Sequence, residues 1–396
     1  MCSSVAPFLR DIEAELDRIR QVGLYRTTRT FDSPQGNVLR WQGVEKLNFC
    51  SNDYLGLANH PALRLAVNHA LDHYGLGSGA SQLVCGRSSA HVSLENALAE
   101  FTKRDKVLLF STGYQANLSV ATALGPGRRG YILGDRLNHA SLIDAAVLSR
   151  SRVLRYRHAN EHALEELLVR HGEKQKLVLT DSVFSMDGDI APLEGIATVC
   201  RRHAAMLVVD DAHGFAVLGA TGRGALEGPG LSQADVPVMV GTFGKALGGF
   251  GAFVAGPEPV IDLLIQKARP FIYTTALPAI ICAAVEAALV LVQKEYWRRE
   301  KLFDLIRYFR TSAAEISLPI GASETPIQPL IIGDASKASE LSDRLFAEGI
   351  LVTAIRPPTV PRGTSRLRIT FSATHTLDQV DRLLAGLLRH RVYWEK

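Results

Sequence analysis

Between Val107 and Val240 the chain repeats one pattern, a short apolar run followed by a segment of helical character. The runs are VLLF, YILG, VLRY, LVLT, MLVV and VPVMV, and the segments between them include HALEELLVRHG and EGIATVCRRH. A run of four or five apolar residues has no polar face to turn to water, so both faces must be covered. Strands of this kind alternating with helices predict an α/β fold with a largely parallel sheet. Ligands of such sheets bind beyond the carboxyl ends of the strands. The residues that end each run are therefore where chemistry is expected.

Those ends are STGYQAN, DRLNHAS, DSVFSMDGD, DDAHG and GTFGK. They bring hydroxyls, glycine amides, histidines, an aspartate pair and a lysine toward one edge. The lysine, Lys245, stands in GTFGKALGGFG, among five glycines. A nucleotide phosphate loop does not fit: the upstream glycine it requires falls on Met239, and Ala246 follows the lysine where a magnesium-binding hydroxyl is needed. A dinucleotide fingerprint starting at Gly249 meets Val254 at its third small position, and GLGSGA (75–80) follows a helical segment instead of a strand.

A lysine, a strand-end carboxylate and a phosphate cradle together suit pyridoxal phosphate chemistry. The lysine holds the cofactor as a Schiff base, and the carboxylate keeps the pyridine nitrogen protonated so that the ring accepts electrons from a substrate carbanion. STGYQAN, read as a turn opening a helix, offers backbone N–H groups to a phosphate. The glycines beside Lys245 are expected to let ring and substrate approach the backbone.

The rest of the sequence narrows the setting. With 396 residues, 47% of them hydrophobic, the chain can bury a large core in two or more subdomains. Its net charge of +4 comes without a basic run, which argues against nucleic acid as a partner. The first twenty residues space Phe8, Ile12, Leu16 and Ile19 as one stripe of an amphipathic helix and carry charges where a signal peptide needs an apolar core. No segment reads as a membrane span. Five cysteines (Cys2, Cys50, Cys85, Cys200 and Cys282) lack CxxC spacing, which points to buried structural thiols, no metal site and a cytoplasmic location. EKLNF reads as a strand and 62–74 as a helix. A long helical stretch follows Pro278, and strands and a helix in IQPLIIGD, ASELSDRLFAEG, LVTAI and RLRITFS make a smaller C-terminal α+β unit. The expected organisation is an N-terminal segment over 1–50, a large cofactor-binding domain over 51–280 and a C-terminal domain over 281–396.

On NFCSNDYLGLANHP, GSGASQLVCG, STGYQAN, DRLNHASLIDA, DSVFSMDGDIAPL, VVDDAHGFAVLG, GTFGKALGG, FIYTTALP and TAIRPPTVPRGTSRLRITFSATHT, the chain resembles the α-oxoamine synthases among the fold-type-I pyridoxal phosphate enzymes. The resemblance implies the fold-type-I transferase architecture and a homodimer with shared active sites. It makes Lys245 the Schiff-base lysine and the base at the substrate Cα, Asp210 the partner of the pyridine nitrogen, His213 the partner of the phenolic oxygen and His139 the group stacked on the ring. Gly113, Tyr114 and Thr242 would hold the phosphate, with Ser185 near the ring and Thr274 and Thr275 reaching the neighbouring subunit's cofactor. Arg368 and Asn52 would hold the amino-acid carboxylate, and Arg26 and Thr359 match substrate-contacting positions. IQPLIIGD and AIRPPTVP point to the branch that condenses L-alanine with a pimeloyl thioester of CoA or an acyl carrier protein, in biotin biosynthesis. The alternatives are a sister synthase using glycine or serine, a transaminase, and a non-catalytic protein that kept the fold. Asp181, where a glutamate is expected, and the glycine-rich ALGGFG depart from the family pattern.

Overall fold

The structure is a computed structural model that describes residues 6–395. Its first helix, α1 (Ala6–Gln21), carries the expected stripe, but Phe8 (67% exposed) and Ile12 (43%) are not covered by this chain. A hairpin of β1 (Val38–Trp41) and β2 (Val44–Asn48) follows. Its two-residue turn is Gln42–Gly43, with φ of 49° and 80°, the left-handed values that match strand twist in the tightest hairpins. EKLNF thus has an N-terminal partner, VLRW, which the alternation of apolar runs did not single out.

The chain then builds its large unit, Asn52–Phe303. The helices α2 (Pro61–Tyr74) and α3 (Ser89–Thr102) precede β3 (Lys106–Phe110) and α4 (Gly113–Leu124). Next come β4 (Tyr131–Asp135), α5 (Ala140–Leu148), β5 (Arg152–Tyr156), α6 (Glu161–Arg170), β6 (Lys176–Asp181), α7 (Leu193–Arg202) and β7 (Met206–Asp210). The sheet closes with β8 (Val238–Thr242) and β9 (Ala252–Gly256). Its order is β3-β9-β8-β7-β6-β4-β5, with β9 antiparallel to both neighbours and every other pairing parallel. The predicted α/β fold is the one observed. β6 and β9 are buried along their whole length, which is why they read as continuous apolar runs. The AFVAG strand was absent from the sequence reading because it follows the glycine loop without a helix between, as an antiparallel strand can.

After α8 (Glu258–Lys267) and α9 (Arg269–Ile272), the long helical stretch divides into α10 (Ala279–Lys294) and α11 (Trp297–Glu315). α10 packs on α2 and α3, so residues 281–303 group with the large unit and the division falls between Phe303 and Asp304 instead of at 280.

The second unit joins the chain up to Ser51 with the chain from Asp304 on, so the N-terminal segment and the C-terminal part form one body. It holds β10 (Ile327–Gly333), α12 (Ala335–Ala347), β11 (Ile350–Leu351), β12 (Thr353–Ile355), β13 (Ser365–Thr370) and α13 (Leu377–Arg389). β11 extends the β1–β2 hairpin as a parallel third strand, and β10-β13-β12 is antiparallel. Among the described residues no helix is long and apolar enough to cross a membrane. Cys200 and Cys282 are buried as expected, Cys50 is half-buried and Cys2 lies outside the described residues. Cys85 corrects the expectation: it is exposed, on a loop whose neighbours Leu83 and Val84 are also exposed.

Candidate active site

Parallel register brings the strand-end residues of the large unit together. Asp181 and Asp210 are direct neighbours across β6 and β7, and both are buried. Asp210 Oδ2 accepts from Asn117 Nδ2 at 2.6 Å, and its Oδ1 accepts from the Ala212 amide at 3.0 Å. Asn117 lies on α4 and also donates to Ser141 Oγ (2.8 Å), which in turn meets His139 Nδ1 (2.7 Å). His139 caps α5, its Nδ1 accepting from the Ser141 amide, while its own amide donates to Asp181 Oδ2 at 2.7 Å. One network thus connects Asp210, Asn117, Ser141, His139 and Asp181. Asn117 and Ser141 fall within STGYQAN and DRLNHAS, where their only signal is an amide and a hydroxyl on helices that start at strand ends.

The charges in this network are placed unequally. Burial, and then the adjacent Asp210 charge, push the Asp181 carboxyl well above its ordinary range. Asp211 is fully buried and is pushed up to about 7 by burial, against a hydrogen bond from Ser182 Oγ (2.5 Å) and one from the Ala225 amide (3.0 Å). Solvent reaches the His139 ring, yet the protein around it lowers its pKa by desolvation, opposed by Asp210 and assisted by Lys245. A neutral ring agrees with an Nδ1 that accepts a hydrogen bond. Lys245, half-buried, is close enough for its charge to act on His139, Asp181 and Asp211.

Several of the glycines around Lys245 also make room for the protein itself. A Cβ on Gly248 (φ +61°) would overlap the Ala58 amide nitrogen, one on Gly249 would lie 2.8 Å from Val285 Cγ2, and one on Gly251 (φ +109°) would lie 3.0 Å from the Phe110 carbonyl. These three glycines let the lysine loop press against protein. Gly244 alone of the five next to the lysine has an open side, its nearest atom being Gly249 O at 3.7 Å.

The segment that Gly248 touches carries Asn52 and Tyr54. The buried Tyr54 hydroxyl donates to Asn52 Oδ1 (3.2 Å) and meets His213 Nδ1 at 2.7 Å. At the start of α4, Thr112 caps the Gln115 amide, and among the described residues the Gly113 and Tyr114 amides have no acceptor. A Cβ on Gly113 would come no closer than 4.0 Å to Thr242, so the turn is open on that side. Ser185 is half-buried on the loop after β6. Thr274 and Thr275 follow α9; Thr275 is exposed and forms a bridge with Ser81.

Of the remaining predicted residues, Arg26, Thr359 and Arg368 belong to the second unit. Arg26 and Thr359 line a cavity of about 610 Å³ there, with Arg29, Arg356, Cys50, Phe31, Leu39 and Ile355 among its walls. Arg26 Nη2 donates to Pro357 O (3.3 Å) and Arg356 Nη1 to Gly23 O (2.6 Å), so two loops exchange arginine contacts. Arg29 is held apart from them by Asp343 (2.8 Å) and the Phe346 ring, 4.2 Å away. Arg368 is buried on β13, opposite Pro329 and Thr353. Its charge and that of Arg29 act on the Cys50 thiol, which burial nonetheless pushes up to about 11.

A lysine beside buried carboxylates at the ends of parallel strands, with an anion-ready helix start among them, is a donor set that fits pyridoxal phosphate. Residues 44–387 match the model of the class I and II aminotransferases, and the fold and site define a pyridoxal-phosphate-dependent enzyme of that class. The chain is 54% identical over 382 residues to an 8-amino-7-oxononanoate synthase of Thioalkalivibrio sulfidiphilus, covering 96% of this chain and 97% of the relative. It is 55% identical over 372 residues to that of Hahella chejuensis, covering 94% of each. Among solved structures it matches a serine palmitoyltransferase from S. paucimobilis with a bound PLP–myriocin aldimine, at TM-score 0.91 and 28% identity over 98% of both chains. It also matches an 8-amino-7-oxononanoate synthase from Francisella tularensis, at TM-score 0.76 and 31% identity, over 88% of this chain and 98% of that one. The chain belongs to the 8-amino-7-oxononanoate synthase family, pyridoxal-phosphate-dependent acyltransferases of biotin biosynthesis.

Proposed function

We propose that this chain joins L-alanine to a pimeloyl thioester, releasing free thiol and carbon dioxide and giving 8-amino-7-oxononanoate. The observation that carries the reading is one hydrogen-bonded strand-end network that holds Asp210 and His139 within reach of the Lys245 charge, beside an unsatisfied helix start. Pyridoxal phosphate, when bound, supplies the electron sink that makes the alanine Cα acidic and accepts the electrons left by decarboxylation. The protein does the rest.

Lys245 would hold the cofactor as a Schiff base, and its amine would serve as the base for the Cα proton. Asp210, kept in place by Asn117, would support positive charge on the cofactor's nitrogen. His139, neutral and fixed at the start of α5, and His213, whose Nδ1 meets the Tyr54 hydroxyl, would contact the cofactor. Gly113, Tyr114 and Thr242 would hold its phosphate, with Ser185 close by. Arg368 and Asn52 receive the amino-acid carboxylate. The cavity with Arg26, Arg356 and Thr359 takes the acyl chain: its apolar walls suit methylenes, and its arginines suit a carboxylate or ester at the far end. Thr274 and Thr275, after α9, act on the cofactor of a second copy in a homodimer.

The test is a competition. Purified holoenzyme is given L-alanine, glycine and serine with pimeloyl, acetyl and succinyl thioesters, and products are weighed by mass spectrometry. 8-Amino-7-oxononanoate should dominate. Acetyl thioester with glycine as the faster pair by kcat/KM would overturn the substrate assignment.

A further inference from the structure

One half-buried histidine has no part in the network above. His158, in the turn between β5 and α6, meets Asp135 Oδ1 through Nδ1 (3.0 Å) and Asp189 Oδ2 through Nε2 (2.8 Å). Each carboxylate anchors a loop. Asp135 ends β4, its side chain is fully buried, and it also accepts the amides of Leu137 (2.8 Å) and Ala159 (2.7 Å). It therefore shapes the turn that leads into Asn138 and His139. Asn138 fixes that turn to the sheet, donating to Leu179 O at 2.8 Å.

Asp189 closes the other loop. The Phe184 amide donates to Asp189 O (3.0 Å), the Gly188 amide donates to Phe184 O (2.8 Å), and Val183 bridges Ile190. Ser185 lies at the tip of this narrow loop, and Phe184 with Asp189 forms its neck. The His158 ring packs edge-on against Phe184, with centroids 4.3 Å apart.

We propose that His158, by bridging Asp135 and Asp189, is a positioning residue that holds the His139 turn and the Ser185 loop in register beside the cofactor. The role rests on the site assignment above, because it matters to catalysis only if those two loops face the cofactor. Its charge follows from geometry. A neutral imidazole has one N–H, whereas an ionised carboxylate only accepts, so two such contacts require both ring nitrogens to be protonated. Burial by itself would lower the ring's pKa; hydrogen bonds to Asp135 and Asp189 outweigh it and raise it to about 10. The titratable groups facing the ring are these two aspartates, one from the end of β4 and one from the loop after β6. Because the folded pKa is raised, the clamp's stabilisation is complete below the ordinary histidine value of about 6.5 and is lost as pH climbs through about 10.

The experiment uses holoenzyme labelled with ¹⁵N-histidine. Both His158 ring nitrogens should read as protonated from pH 6 to 8.5, identified by loss of the signal in His158→Gln; a titration centred near 6.5 would overturn the clamp. This arm involves no acyl substrate and stands even if the substrate assignment fails. In Asp189→Asn, which keeps the shape of the neck, the pyridoxal phosphate dissociation rate should rise roughly tenfold, as expected for one charge-assisted hydrogen bond. The His158 titration should also move down toward neutrality. A dissociation rate within twofold of the parent's, with His158 titration shifted, would overturn the positioning role.

Discussion

Asn117→Ala isolates the contribution of a residue that only the folded chain reveals. Asn117 is buried, and its amide supplies the side-chain hydrogen bond to Asp210, at 2.6 Å. Removing it leaves the Ala212 amide, at 3.0 Å, on the other oxygen. A hydrogen bond to a charged group contributes about 1.5–3 kcal/mol, and about 1.4 kcal/mol is a factor of ten in rate. If Asp210 holds the pyridine nitrogen in the transition state, kcat/KM should fall by roughly 10–150-fold. The same change also unties Ser141 from α4, so His139 loses its indirect link to Asp210. The assay is thiol release from pimeloyl thioester with saturating L-alanine, alongside a melting curve to confirm that the fold survives. Asn117→Asp should be worse than alanine, because it sets a third buried carboxylate beside Asp210 and Asp181. A loss of less than threefold in a folded Asn117→Ala protein would refute the idea that this amide orients a working carboxylate.

In Lys245→Ala, the holoenzyme's lysine-linked absorbance should vanish and borohydride should leave no cofactor attached to the chain; a labelled peptide elsewhere would move the role to another lysine. Gly248→Ala forces a Cβ into the Ala58 backbone at φ +61°, a change of the kind that costs about 1–3 kcal/mol by overpacking alone; a melting temperature and cofactor affinity equal to the parent's would contradict the close approach. Arg26→Ala should raise KM about 10-fold or more for free-acid pimeloyl thioester and less for its methyl ester, whereas Arg29→Ala, whose guanidinium is already paired with Asp343, should affect both alike; equal effects of Arg26→Ala on the two would remove it from the distal end. Mixing Lys245→Ala subunits with subunits altered at Thr274 and Thr275 should restore part of the activity through heterodimers, and full activity in a monomer by light scattering would exclude a shared site.

The parallel sheet and its chemical edge were legible because both leave a one-dimensional trace. A strand covered on both faces must be apolar throughout, and the residue after it has nowhere to go but the edge. Asp210, Lys245 and His139 were found that way. β9 was not, since AFVAG continues from the glycine loop and pairs antiparallel with β3, whose residues Lys106–Phe110 lie far back in the chain. The joining of residues up to Ser51 with those from Asp304 on was equally invisible, because it rests on β2 pairing with the two residues of β11. Asn117 looked like one more helix residue; only the fold brings it within hydrogen-bond reach of Asp210 at the end of β7. The glycines of the lysine loop were legible as a constraint, but what they make room for could be read only once Ala58, Val285 and Phe110 were seen against them.

The distribution of charge at the strand ends shows why this edge can do chemistry at all. Asp135, Asp181, Asp210 and Asp211 are buried side by side, a concentration of acid that burial would normally suppress. The fold resolves it by giving each carboxyl a different environment. Asp135 receives three donors, including the His158 ring, and is engaged away from Lys245. The Asp181 carboxyl is pushed well up by burial and then by Asp210, and its Oδ2 accepts the His139 amide. Asp211, raised to about 7, is tied to Ser182 and Ala225 beneath the site, where Gly214 and Gly224 leave room for it. Asp210 alone combines a side-chain amide donor with a place beside His139 and Lys245. That leaves Asp210 as the carboxylate placed to meet the cationic nitrogen proposed above, while its neighbours are engaged by donors of their own.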